Sequence, residues 1–288
     1  MNLTDYNTIK EILGKHGFAF SKSMGQNFLT AAWVPERIVD EAEIDSNTAV
    51  LEVGPGIGCL TVKLSENAGK VISVELDEKL MPILAETLSG CENTEVIFGN
   101  VLEKNVNEIV ENDFKGYRPV VCANLPYNVA SPIIAKFLES RAFDTITVMV
   151  QKEVAQRICA KSGTSDYSAF SVLCQWYSEP TMLFDVAPDC FVPRPKVTST
   201  VIQMKMRDEE PAEVEDLKLF FRVVKAAFNQ RRKTFVNSVS NTMGIPKEEL
   251  IKMLQKFGIS EKIRGEALDI NDFAQITKGI SEIIRCDL

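Results

Sequence analysis

Histidine is nearly missing from this chain: His16 is the only one among 288 residues. A single imidazole near the N-terminus argues against histidine-based metal centres and against catalytic triads. The seven cysteines, at 59, 91, 122, 159, 174, 190 and 286, are odd in number and include no CxxC pair. Scattered thiols of this kind fit a reducing cytoplasm better than a disulfide or zinc framework, so no metal is expected. No run of about eighteen apolar residues occurs, which excludes a spanning helix. The opening stretch MNLTDYNTIKEILGKHG mixes both charge signs and lacks an apolar export core, so a cytoplasmic protein is expected.

What the chain does have is enough apolar material, 45%, for one large domain and a small one. Its net charge of −8 argues weakly against a nucleic-acid partner, but the charge is segregated. Four bases and no acids lie between Phe191 and Arg207, and six acids and no bases between Asp208 and Asp216. Six bases and no acids then lie between Lys218 and Lys233. Segregation of this kind makes local potentials that the net charge hides.

Short apolar runs alternate with helical patterns over residues 49–206, the mark of a parallel sheet with crossover helices. Strands are predicted at Ala49–Val53, Val71–Leu76, Glu95–Phe98, Pro119–Ala123, Thr145–Val150, Thr181–Val186 and Val197–Met206. The last two lack a long helix between them and predict an antiparallel hairpin at the sheet edge. Ser131 is expected to cap a helix over Pro132–Leu138. Past the acidic stretch only helical patterns follow, at Leu217–Gln230, Thr234–Asn241, Pro246–Phe257 and Asn271–Ile284, with Gly258 as a helix stop. The expected division is therefore 1–207 for an α/β domain and 208–288 for a helical one.

Gly54-Pro55-Gly56-Ile57-Gly58 follows the first predicted strand directly. Glycines there allow a sharp turn and close approach of a ligand to the backbone. The spacing GxGxG differs from the GxGxxG of dinucleotide binders. Glu75, at the end of the next strand, suits a ribose diol, so the pair favours S-adenosylmethionine over NAD. Asn100 ends the third strand on the same rim and has an amide able to meet an adenine, although alone it also suits a turn.

Asn124-Leu125-Pro126-Tyr127 ends the fourth strand. An adenine amino group is a poor nucleophile because its lone pair is delocalised into the ring. Acceptors aimed at its hydrogens, the Asn124 side-chain oxygen and the Leu125 carbonyl, can localise that pair. Pro126 stiffens the turn without adding an N–H, and Tyr127 offers a face for the base. The donor is a sulfonium and the leaving group a neutral thioether, so no strong base is required. In Phe191-Val192-Pro193-Arg194-Pro195-Lys196-Val197, two prolines fix an extended loop. Phe191 could close the other face of the base, and Arg194 and Lys196 could reach phosphates. A rigid turn with a core phenylalanine explains the same residues equally well. Arg222, Lys225, Arg231, Arg232 and Lys233 could track an RNA backbone.

KSMGQNFL (22–29), LEVGPGIGCLT (51–61), VELD (74–77), NLPYNVASPII (124–134), VQKEVAQRI (150–158), FVPRPKVTS (191–199) and AFNQRRKT (227–234) occur in this order. With this series the chain resembles the bacterial small-subunit ribosomal RNA adenine dimethyltransferases over almost its whole length. The resemblance implies a Rossmann-like class I methyltransferase domain with a mostly parallel seven-stranded sheet. A small all-helical C-terminal domain that docks on the immature small subunit is implied with it. It implies dimethylation of two adjacent adenines in a hairpin loop near the 3′ end of small-subunit RNA, by a monomer. Cofactor positions of the family match Asn27, Leu29, Gly54, Glu75, Asn100 and Asn124, with Gln26 and Gly56 beside them. Target-base positions match Asn124, Tyr127 and Phe191, with Leu125 and Pro126 completing the tetrapeptide. The family usually carries aspartate where Asn100 stands, which keeps an acceptor oxygen but removes a charge.

Three rivals share parts of this pattern. A large-subunit RNA adenine dimethyltransferase shares the fold and a similar tetrapeptide, but KSMGQNFL and AFNQRRKT favour the small-subunit enzyme. A DNA adenine methyltransferase usually has two prolines in the tetrapeptide, where Leu125 stands here. A non-catalytic assembly factor would have no need of an intact glycine turn, Asn124 and Tyr127.

Overall fold

The computed structural model describes residues 1–18 and 26–286, so Lys22–Gly25 of the KSMGQNFL stretch lie outside the described residues. The chain divides into two compact units, Met1–Ala155 with Ser178–Met206, and Gln156–Tyr177 with Arg207–Leu288.

The first unit opens with α1 (Tyr6–Lys15), the two-residue strand β1 (Phe28–Leu29) and α2 (Trp33–Glu41). Next come β2 (Thr48–Val53), α3 (Cys59–Asn67), β3 (Lys70–Glu75), α4 (Met81–Thr87), β4 (Thr94–Phe98), α5 (Val106–Asp113) and β5 (Arg118–Asn124). Then follow α6 (Ala130–Ser140), β6 (Thr145–Gln151) and α7 (Lys152–Cys159), whose last turn passes into the second unit. After α8 (Ala169–Tyr177) the chain returns through β7 (Ser178–Val186), β8 (Phe191–Val192) and β9 (Ser199–Met206).

Seven strands form one sheet in the order β4-β3-β2-β5-β6-β9-β7. The first five pair in parallel, and β9 is antiparallel to both β6 and β7. This is the α/β sheet with an antiparallel edge that the sequence predicts. Every residue of β2 is buried, as a central strand covered on both faces requires. Val50, Val71, Val120, Met149 and Val201 join the inner sides of α2 and α3 in one apolar cluster. Ile9 and Ile12 of α1 join Ile57, Ile83 and Leu84 in another.

Two local expectations change. The helix expected from Pro132 begins earlier, at Ala130, with Val129 at its N-cap, so Ser131 lies in the first turn and caps nothing. Pro132 is tolerated there because first-turn N–H groups have no partner within the helix anyway. The second change is the reach of the helical unit. Beyond α9 (Leu217–Asn229), α10 (Phe235–Met243), α11 (Lys247–Lys256) and α12 (Ile270–Cys286), it includes Gln156–Tyr177. Aromatic packing explains this. The rings of Trp176 and Phe220 lie 4.5 Å apart, those of Tyr177 and Phe221 6.0 Å, and those of Tyr167 and Phe228 5.8 Å. Gly258 ends α11 as expected, with φ 71°.

Candidate active site

One deep pocket opens at the carboxyl ends of β2, β3, β4 and β5, where doubly wound sheets hold ligands. It encloses about 1100 Å³, mouth included. Gly54, Gly56 and Gly58 have φ of 70°, 60° and 93°, a region that side chains rarely enter. A Cβ on residue 56 would lie 3.1 and 3.2 Å from Phe28 ring atoms. One on residue 54 would meet the Pro126 ring at 3.7 Å. The turn is thus the meeting point of the N-terminal strand and the Asn124–Tyr127 tetrapeptide.

Glu75 ends β3 inside the pocket and is 6% exposed. Its Oε1 accepts from the Asp77 N–H at 2.8 Å. Burial raises its pKa, against the opposing pull of the Asp77, Gly56 and Leu76 backbone donors. A buried carboxylate facing a cavity is completed by hydroxyl donors, so the residues present fit an adenosine ribose. Leu76 beside it is 54% exposed and offers an apolar surface at the mouth. Below the loop, Glu52 is fully buried, with its Oε2 accepting from Ser73 Oγ at 2.6 Å and Thr61 Oγ1 at 2.7 Å. Desolvation pushes its pKa up to about 7.

Gln26, Asn27 and Leu29 line the same pocket. A side-chain hydrogen bond and a strand pair help to hold that segment in place. Gln26 Nε2 donates to Asp77 Oδ2 at 2.9 Å, and β1 pairs with β8, Leu29 opposite Phe191 and Phe28 opposite Val192. Asn100 lines the pocket as well, but its amide is already engaged. Oδ1 accepts from the Leu102 N–H at 3.0 Å, and Nδ2 donates to Glu103 Oε1 at 3.0 Å.

Asn124, Leu125, Pro126 and Tyr127 all line the pocket. Asn124 is the last residue of β5, and the next N–H, of Leu125, bonds to the Met149 carbonyl of β6 at 3.2 Å. Among the described residues, no hydrogen bond engages the Asn124 side chain, which leaves its amide to a ligand. The Tyr127 hydroxyl lies 2.6 Å from Ser199 Oγ. Burial raises the phenol's pKa, and the serine bond opposes that rise.

Phe191 is not brought to the pocket. It is 4% exposed and packs in the apolar cluster with Leu29, Val34 and Ile38. Arg194 pairs with Asp189 at 3.0 Å on the surface, and Lys196 is exposed. In the helical unit, Arg222, Lys225, Arg232 and Lys233 are exposed. Arg231 differs, because its guanidinium donates to the Ser165 and Tyr167 carbonyls. Sequence reasoning missed Ser199 and Asp77. Both stand inside motifs quoted above, FVPRPKVTS and VELD, but nothing local marks what they touch.

Residues 17–282 match the family Ribosomal RNA adenine dimethylase. A "Ribosomal RNA small subunit methyltransferase A" of Alkaliphilus oremlandii is 44% identical over 275 residues, covering 95% of this chain and 96% of its own. A solved dimethyladenosine transferase from Plasmodium falciparum superposes with a TM-score of 0.73 at 26% identity, over 88% of this chain and 98% of its own. A solved 23S rRNA methyltransferase, ErmE, superposes with 0.67 at 25% identity, over 88% and 99%. Among the described residues no helix is long and apolar enough to cross a membrane, and no acid, cysteine or histidine cluster is arranged to hold a metal ion.

Proposed function

This chain belongs to the ribosomal RNA adenine dimethylase family, and we infer that it dimethylates the 6-amino groups of two adjacent adenines near the 3′ end of small-subunit RNA. As a member of that family it is an S-adenosylmethionine-dependent methyltransferase of ribosomal RNA. We take it to act as a cytoplasmic monomer on the immature small subunit, late in assembly. Helices α9 to α12 and the 156–177 segment, as the second unit, would dock there. The cofactor, when bound, supplies an electrophilic methyl on a sulfonium.

The observation that carries the reading is the sharing of one pocket by two sets of residues. Gly54, Gly56 and Glu75 lie on one side, and Asn124 and Tyr127 on the other, with Pro126 against Gly54 between them. In this reading Glu75 holds the ribose hydroxyls, and Gln26, Asn27, Leu29 and Asn100 complete the cofactor site. Asn124 accepts an amino hydrogen of the target base and localises the nitrogen lone pair. Tyr127 supplies the stacking face. Phe191 then acts from behind, as the partner that seats Leu29. Exposed Arg194, Lys196, Arg222, Lys225, Arg232 and Lys233 meet phosphates.

The test is incubation with labelled S-adenosylmethionine and, in parallel, small subunits lacking the modification and unmodified large-subunit RNA, followed by mapping of the methylated bases. Two adjacent dimethyladenines near the 3′ end are expected. Methylation of a single adenine in large-subunit RNA, or none on either, would overturn the reading.

A further inference from the structure

The last residue of the FVPRPKVTS segment does not line the pocket but touches one of its lining residues, Tyr127. Ser199 opens β9, which runs between β6 and β7, and it pairs with Gln151 on one side and Val186 on the other. A residue hydrogen-bonded into strands on both flanks has a fixed position. Its side chain is fully buried, and its Oγ lies 2.6 Å from the Tyr127 hydroxyl. Either hydroxyl can donate.

Tyr127 stands in a different mechanical setting. It lies in the turn after β5, where the Val129 N–H bonds back to the Pro126 carbonyl, and not in a ladder. A tyrosine on a turn can swing about χ1 unless something holds the phenol end. The bond to Ser199 holds that end, from 72 residues further along the chain.

We propose that Ser199 is a positioning residue that fixes the direction of the Tyr127 ring axis, and through it the pose of the target adenine relative to Asn124. The proposal rests on the reading of Tyr127 as the stacking face. A base stacked on a swinging ring presents its amino group to Asn124 only part of the time. The loss on breaking the bond therefore falls on the methyl-transfer step, because Ser199 itself touches neither cofactor nor base. Productive geometry of this kind is sensitive to displacements of about 1 Å, which gives a single anchoring bond leverage on rate.

The experiment is a single-turnover double-mutant cycle on unmodified small subunits at saturating cofactor, with Ser199→Ala, Tyr127→Phe and the double variant. Tyr127→Phe removes the bond from the turn side and leaves the strand untouched, so it answers the question even if Ser199→Ala folds poorly. Each single variant should lose about tenfold in rate, the scale of one hydrogen bond, and the double variant should lose no more than either. Cofactor affinity by calorimetry and subunit affinity should match wild type. A Tyr127→Phe enzyme at the wild-type rate, or losses that multiply in the double variant, would overturn the proposal. Tyr127→Ala is the control for the underlying reading. If it loses rate while Tyr127→Phe does not, stacking stands and the Ser199 role fails. If Tyr127→Ala also runs at the wild-type rate, both fail.

Discussion

At the residue scale, the site is governed by carboxylates placed where water is scarce. Among the described residues Glu52 has no positive partner, only two hydroxyl donors, and its folded pKa is about 7 against 4.5 for a free glutamate. A raised folded pKa means that the native state holds a proton the unfolded chain releases. The stability from Glu52 is then fully present below pH 4.5 and is lost as pH rises through about 7, a loss amounting to about 3 kcal/mol. Glu52→Gln keeps an acceptor oxygen for Ser73 and Thr61 but cannot ionise. Urea unfolding should find the variant more stable than wild type near pH 8 and the two nearly alike near pH 5. Equal pH dependence in both would mean that Glu52 titrates normally. Glu75 lines the pocket instead, where we propose that it meets the cofactor's ribose hydroxyls. Glu75→Ala should weaken S-adenosylmethionine binding by roughly 1.5–3 kcal/mol in calorimetric titration without unfolding the domain. At Asn100 the family's usual aspartate would stand within hydrogen-bond distance of Glu103. Asn100→Asp alone should therefore not tighten cofactor binding, and adding Glu103→Gln should improve it on the order of threefold. Tighter binding by the single variant would show that Glu103 exerts no influence on that position.

At the scale of elements, the glycine turn is where several chain segments meet, so a small change there spreads. Gly56→Ala combines a φ of 60° with a Cβ 3.1 Å from the Phe28 ring. The strain should cost about 1 kcal/mol or more. Phe28 is buried and paired in β1, so relief of the contact is expected to disturb the β1–β8 pair, with Asn27 and Leu29 of the pocket wall on either side of it. Cofactor affinity should fall by more than thermal stability does, and comparing calorimetry with the unfolding curve checks this. Elements also differ in how legible they are in sequence. The sheet strands and the glycine turn are local patterns of apolar runs and spacing, and the parallel strands lie within a residue or so of their predicted ends, unlike the antiparallel β7 and β9. Ser178-Glu179-Pro180, polar with a proline, hides the start of β7, and β9 begins at Ser199 and not at Val197. The two-residue pair β1–β8 is illegible because neither Phe28-Leu29 nor Phe191-Val192 has any strand signature without the other. The same holds for Gln26 with Asp77 and for Tyr127 with Ser199, which are 51 and 72 residues apart.

At the scale of the whole molecule, a chain of net charge −8 must bind a polyanion through local fields. The basic cluster after α9 is not uniform in this respect. Arg231 spends its guanidinium on the Ser165 and Tyr167 carbonyls, and the Gly163 N–H bonds to the Glu266 carbonyl, so the exposed 161–166 loop is held at two points within the helical unit. Arg232 and Lys233 are exposed, and among the described residues neither side chain has such a task. Charge alone predicts equal parts for all three, whereas the structure separates a residue that shapes the surface from residues that charge it. Reversing Arg232 and Lys233 to glutamate should weaken small-subunit binding and flatten its dependence on salt, because fewer counterions are released, while cofactor binding stays unchanged. Arg231→Ala should act differently. Amide exchange in residues 161–167 should rise, and subunit binding should fall with a smaller change in salt slope than the double reversal gives. An Arg231→Ala protein with wild-type exchange in that loop, and a salt slope changed as much as by the double reversal, would return Arg231 to the phosphate-binding set.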